Sequence, residues 1–261
     1  MFHDSLKYLF SRIRLGNLRD FLRLSIVWVL VLTALQSAII FVRGAAVANI
    51  DALPVDGWMA VMGTLTALEL IPGIAFVYVW QRHSLRAEGE TTKAITLAGV
   101  ALYCVMAAVV SVIHQLIVMA PRYLGRIVTY TGPIDAGLAY DLLRTLAGVL
   151  LFLLAWRLLM FLPGIANGDA YAEARMRIRT IGNTQFPAFI QLVFVSAVVS
   201  LLCTTSGSAV LHGLSSQVPR YILICALFGA FLLHYFGLSV VVGALSRSYA
   251  QAAPVGEDSV F

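Results

Sequence analysis

The sequence predicts an all-α membrane protein: six transmembrane helices, both termini cytoplasmic, an N-terminal amphipathic interfacial helix, and a short cytoplasmic helix between spans four and five. Three observations carry that reading. Of 261 residues, 60% are hydrophobic and only 12% charged, whereas a soluble domain averages about 25% charged. The apolar runs are about 20 residues long, the length a helix needs to cross a bilayer. A membrane β-barrel shows alternating segments of about ten residues instead. Lysines and arginines gather in short flanks between the runs, as orientation in a membrane requires.

Residues 1–20 read as the interfacial helix. Leu6, Leu9, Phe10 and Ile13 share one face, and Lys7, Arg12, Arg14 and Arg19 supply charge, with Arg12 and Arg14 expected at anionic headgroups. Residues 21–247 form the six-helix domain. Phe21–Val42 is the first span. Ala46-Val47-Ala48 resembles a signal-cleavage site, but the apolar run is too long and its basic leader too extended, so the helix is expected to be retained. Trp58–Trp80 is the second span, with a tryptophan at each interface. The third lies within Lys93–Ala120. Leu142–Leu162, Phe186–Thr205 and Tyr221–Leu245 complete the set. Residues 248–261 are expected to form a mobile cytoplasmic tail.

Orientation follows from the cations. Lys7, Arg12, Arg14, Arg19, Arg23, Arg82, Arg86, Lys93, Arg175, Arg177, Arg179 and Arg247 fall on one side, twelve in all. Arg43, Arg122, Arg126, Arg144 and Arg220 fall on the other, five in all. The richer side is cytoplasmic, so both termini face the cytoplasm and the chain is a multi-pass membrane protein. On the outer side, Pro121–Asp141 carries Tyr123, Tyr130 and Tyr140, which suit an interfacial loop.

The stretch Trp156–Gln191 organises the rest. Pro163-Gly164 is expected to stop the fourth span. Asp169 reads as the N-cap of a helix over Ala170–Ile181, with Glu173 in its first turn and Gly182 just past its end. Tyr171, Ala174, Ile178 and Ile181 share a face. Arg175, Arg177 and Arg179 fill the remainder and are expected to meet anionic headgroups on the cytoplasmic side.

Ionisable groups at membrane depth need a partner or a wet cavity. Glu69 lies midway along the second span, three residues before Pro72. His234 lies midway along the sixth, at similar depth by length alone, and Arg157 sits about 7 Å deeper than mid-span in the fourth. These three are the intramembrane polar candidates. Gln36, Gln115 and Gln191 suit contacts between helices. Gly229, Ala230, Gly237 and Gly243 give the sixth span a surface for close packing. Cys104, Cys203 and Cys225 read as small core residues. Pro72-Gly73-Ile74-Ala75 recurs as Pro163-Gly164-Ile165-Ala166, 91 residues later, but the flanks match poorly and chance explains the echo better than duplication.

Trp156-Arg157-Leu158, Pro163-Gly164-Ile165-Ala166, a basic helix ending Thr180-Ile181-Gly182-Asn183, and a last span ending Ala244-Leu245-Ser246-Arg247-Ser248-Tyr249 resemble the six-helix bacterial inner-membrane proteins related to YciC. A similar module forms the membrane domain of some glycerophosphodiester phosphodiesterases. The resemblance covers residues 155–190 and 240–250. It implies six inner-membrane helices with a cytoplasmic helix between spans four and five. It carries no activity, because the phosphodiesterase chemistry belongs to a separate soluble domain.

The expected function is therefore non-catalytic: an accessory, scaffold or assembly subunit of a membrane complex, with no cofactor and no metal. Expected partners are membrane lipids and other membrane subunits or a second copy. The formal net charge of +5 sits in membrane flanks and is not a nucleic-acid signature. The alternative is a small-molecule, lipid or proton-coupled transporter with a midplane site at Glu69 and His234. An intramembrane enzyme built from His114, His234, Glu69 and Asp141 has no spacing to support it.

Overall fold

The computed structural model describes residues 15–48, 64, 68–94, 96–112, 156–212 and 219–252. All regular structure among them is helical. Helix α1 is Leu15–Ala48, α2 is Leu70–Ala87 and α3 is Leu97–Val112. Helix α4 covers residues 156–167, and α5 is Tyr171–Thr180. A π-helical turn, Ile181–Gln185, leads directly into α6, Phe186–His212, and α7 is Arg220–Gln251. Three stretches, Leu18–Phe41, Tyr171–Ser200 and Tyr221–Gln251, are long and apolar enough to cross a membrane; α3 is apolar but shorter. Expectations that rest on Arg12, Arg14, Trp58, His114, Gln115, the connection 121–141 and residues 253–261 lie outside the described residues.

Several boundaries move. The helix containing Phe21 already runs from Leu15, so no break separates an interfacial helix from the first span at residue 20. Residues 248–251 continue α7, and Ser248, Tyr249 and Ala252 are buried. That part of the expected tail is packed because Tyr249 is an aromatic anchor rather than a polar trailer.

The closest helix pairing is α6 against α7. Small residues make it possible. A Cβ on Gly237 would lie 2.7 Å from the Ser200 Cα, and one on Gly207 would lie 3.1 Å from the Ala230 Cα. Those two contacts, with Gln185 Nε2 donating to the Gln251 carbonyl at 3.3 Å, define an antiparallel register. Ala230 and Gly237 behave as the composition of α7 predicted, while Gly229 faces open space.

Helices α1, α2 and α7 close around an aromatic core. Phe21 makes edge contacts with Phe76, Trp80 and Phe236 at 6.3, 5.9 and 5.4 Å between centroids. Phe76 meets Tyr235 at 4.6 Å, and Trp80 Nε1 donates to the Ser239 carbonyl at 2.8 Å. Edge-to-face pairs of this kind contribute about 0.5–1.5 kcal/mol each beyond burial. The contacts also fix direction: α1 runs antiparallel to α2, and α2 runs parallel to α7.

The α4–α5 hairpin turns at Gly168 and Asp169, within the loop that Asn167-Gly168-Asp169 signals, and not at Pro163-Gly164. Helix α4 passes through Pro163 and Gly164 and ends at Gly168, whose φ is +82°. Only glycine adopts that conformation without cost. Gly164 is needed for a different reason: a Cβ there would sit 2.8 Å from both the Ala174 Cβ and the Tyr249 hydroxyl. Gly168→Ala is expected to cost about 1–2 kcal/mol for the left-handed residue, with added crowding 3.0 Å from the Lys93 Cβ. Denaturant unfolding in detergent checks it; an unchanged midpoint would show that the turn tolerates another φ.

Candidate functional site: a polar clamp at one end of the helices

The ends of α2, α4 and α7 and the start of α5 converge on one polar cluster. Helix α2 finishes at Ala87, Gly89 takes φ +92°, and the chain turns back. The Lys93 amide then donates to the Asn167 carbonyl at 2.9 Å. Arg82 straddles the junction, donating to the carbonyls of Ala166 at 3.2 Å and Lys93 at 3.1 Å. The orphan carbonyls that end α4 are thus met by a side chain from α2.

Asp169 is not the N-cap. That position is Ala170, with no side-chain capping bond. The Asp169 carboxylate is fully buried and engaged elsewhere. It accepts from the Tyr249 hydroxyl at 2.7 Å and from Asn167 Nδ2 at 2.9 Å, and Lys93 Nζ approaches to 3.4 Å. Lys93 also reaches Glu173 at 3.0 Å. The hydrogen bond to Glu173 is the main reason the Lys93 pKa is raised above the ordinary lysine value. A raised lysine contributes below that ordinary value and loses its contribution only as pH climbs through the raised one. The bridge is therefore constant across neutral pH.

Arg177 lies at the centre. Its side chain is 7% exposed. It pairs with both Glu90 oxygens at 2.5 and 3.3 Å, reaches Glu173 at 3.5 Å, and donates to the Tyr249 carbonyl at 3.4 Å. Its guanidinium also lies 5.1 Å from the Tyr249 ring centroid. The expectation of three headgroup-facing arginines is corrected here. Arg177 points inward because three carboxylates and an aromatic face wait for it, whereas Arg175 and Arg179 are exposed. Glu90, Tyr249 and Asp169 were missed as partners. Glu90 and Asp169 carry one indirect sequence signal, a carboxylate directly after a glycine at the edge of an apolar run, and Tyr249 carries none.

Gly182 does not end the helix. Its backbone is part of the π-helical turn, and a Cβ on it would lie 3.2 Å from the Trp156 indole. The glycine serves contact with α4, and α5 continues into α6.

The other candidates scatter. Gln36 Nε2 donates to Glu69 Oε1, joining α1 to α2. Phe76 with Tyr235, and Trp80 with Ser239, set an offset of 159 residues between α2 and α7. Glu69 therefore falls level with Phe228, six residues and about 9 Å short of His234. The similar depth inferred from length is corrected by this register. His234 is exposed, its ring 6.0 Å from that of Tyr235. Arg157 is exposed, its guanidinium 5.5 Å from the Trp156 ring centroid, and among the described residues it makes no ion pair with Glu69. The repeated Pro-Gly-Ile-Ala segments also differ in setting: Gly73 faces open space while Gly164 is tightly packed. Glu69→Gln keeps an acceptor for Gln36 and is expected to shift stability by less than ~1 kcal/mol, the scale of one inter-helix hydrogen bond in a membrane. A larger drop in thermal unfolding would mean the charge itself is needed.

No family model, curated protein or solved structure matches the chain.

Proposed function

We propose that the chain is a six-span protein of the bacterial cytoplasmic membrane, with both termini cytoplasmic, acting as a non-catalytic accessory, scaffold or assembly subunit. One observation carries the reading. The buried charges at the cation-rich end are committed to one another, tying α2, α4, α5 and α7 together, instead of being presented to a substrate. A site built this way holds helix ends in a fixed arrangement, which is what a scaffold requires.

Two further observations support it. Asp20 approaches His83 to 3.7 Å, Arg82 meets Ala166, and Tyr249 meets Asp169. The start of α1 and the ends of α2, α4 and α7 therefore share one end of the bundle, the end with most cations, and that grouping suits a cytoplasmic face. The stretches 155–190 and 240–250, which carry the resemblance to the YciC-related proteins, meet within the clamp through Gly164, Asp169, Arg177 and Tyr249. Separation of Glu69 from His234 weakens the transporter alternative, which needs them at one depth. Purification in mild detergent tests the proposal: co-purification with other membrane subunits at fixed stoichiometry is expected. A monomer that alone moves a solute across liposomes, with transport abolished by Glu69→Gln, would replace it.

A further inference from the structure

We propose that the outer face of α5 is a docking surface for anionic phospholipid, gripped by Arg175 and Arg179 and anchored by Tyr171 and Met176. The inference rests on the membrane reading above and assigns a partner to the clamp's exposed side.

The face is defined by helical periodicity. Ala174, Arg177, Ile178 and Ile181 are buried and share one arc. Arg175 and Arg179, four residues apart, lie away from that arc with Met176 beside them, and Tyr171 stands at its border, its ring stacked on Phe161 at 5.5 Å. Tyr171 is 70% and Met176 52% exposed. Lys93, Arg82 and Arg177 are engaged within the clamp, whereas Arg175 and Arg179 make no ion pair or side-chain hydrogen bond among the described residues. Four residues apart, the two arginines lie about 6 Å from one another along the helix, close enough to share one phosphodiester or two adjacent ones.

Depth follows from α3. The backbone at Lys93 and Ala94 lies against the turn at Asn167 and Gly168. Three residues later Leu97 begins the apolar helix α3, 87% exposed, and Val105, Val109 and Val112 extend its exposed face. In a membrane this exposed apolar row marks hydrocarbon, so the hairpin turn sits at its edge. Helix α5 runs back alongside α4, with Ala174 against Gly164 and Gly182 against Trp156, and continues through the π-helical turn into α6. Arg175 and Arg179 therefore stand beside the turn at the cation-rich end, and their long exposed side chains extend toward headgroups rather than into hydrocarbon. Arginine next to exposed tyrosine and methionine suits a surface that is anionic outside and apolar beneath.

The test uses the full chain in lipid nanodiscs of phosphatidylcholine, with and without phosphatidylglycerol, and native mass spectrometry of retained lipid. The wild type is expected to retain phosphatidylglycerol in preference to phosphatidylcholine. Arg175→Gln is expected to cut that preference about fivefold and the double variant with Arg179→Gln about thirtyfold, with unfolding midpoints unchanged. An equal preference in the double variant overturns the proposal, as does displacement of the lipid by inorganic phosphate, which would make this a free-anion site. No preference in the wild type also overturns it, and points to an acidic protein subunit as the occupant. A chain that fractionates without detergent defeats the membrane reading itself, a separate outcome.

Discussion

Arg177→Met is expected to lower the unfolding free energy by about 3–5 kcal/mol, the cost of removing one partner from a buried ion pair. The methionine fills much of the volume, so the loss is electrostatic. Glu90 and the fully buried Asp169 would keep their charge in a site with Lys93 as the remaining paired cation. Arg175→Met, on the exposed face of the same helix, is expected to stay within about 0.5 kcal/mol. Combining Arg177→Met with Glu90→Gln should restore part of the loss, because the stranded carboxylate is gone. Denaturant unfolding in detergent resolves all of these. If Arg177→Met and Arg175→Met unfold alike, the cluster is not what joins the helix ends.

Gly237→Val should be comparably damaging for a reason unrelated to charge. The first added carbon would already lie 2.7 Å from the Ser200 Cα, a backbone atom that moves only if α6 moves. Overpacking of this kind costs about 1–3 kcal/mol and occasionally more; two branches against a backbone belong at the upper end. Gly229→Ala, where nothing lies within 4 Å, is the matched control and should be silent. Thermal unfolding of the two variants side by side decides the matter, and equal midpoints would mean that α6 and α7 do not pack as described.

Helical character was legible from run length, since lipid leaves the backbone few other choices. The gathering of cations at one end of the described helices was equally legible, because it is a property of linear order. Ala230 and Gly237 of α7 were read correctly as a packing surface, whereas Gly229 faces open space. What failed depended on neighbours remote in sequence. Pro163-Gly164 and Gly182 looked like stops because proline and glycine end isolated helices, but here they admit Tyr249, Ala174 and Trp156 at short range. Asp169 looked like a cap because only its own segment was in view; the Tyr249 hydroxyl lies 80 residues away. The spacing of Arg177 from Ala174 and Ile181 puts it on the buried arc, unlike Arg175 and Arg179, but its partner Glu90 lies 87 residues away and is not signalled by that spacing. The depths of Glu69 and His234 were misjudged because span length does not fix how two helices slide along each other.

The wide turn at Ile181–Gln185 acts as a phase setter. Each residue advances a helix by about 100°, and a π turn accommodates one residue more than an α turn would. Deleting a single residue there would let the helix run on as an unbroken α-helix with Arg177 still facing Glu90, because the wide turn is what absorbs that residue. Regular α geometry over the same five residues, with none removed, would instead rotate everything upstream by about 100° relative to α6 and swing Arg177 away from Glu90. The difference between an inward and an outward arginine therefore lies less in the arginines than in the backbone of Ile181–Gln185.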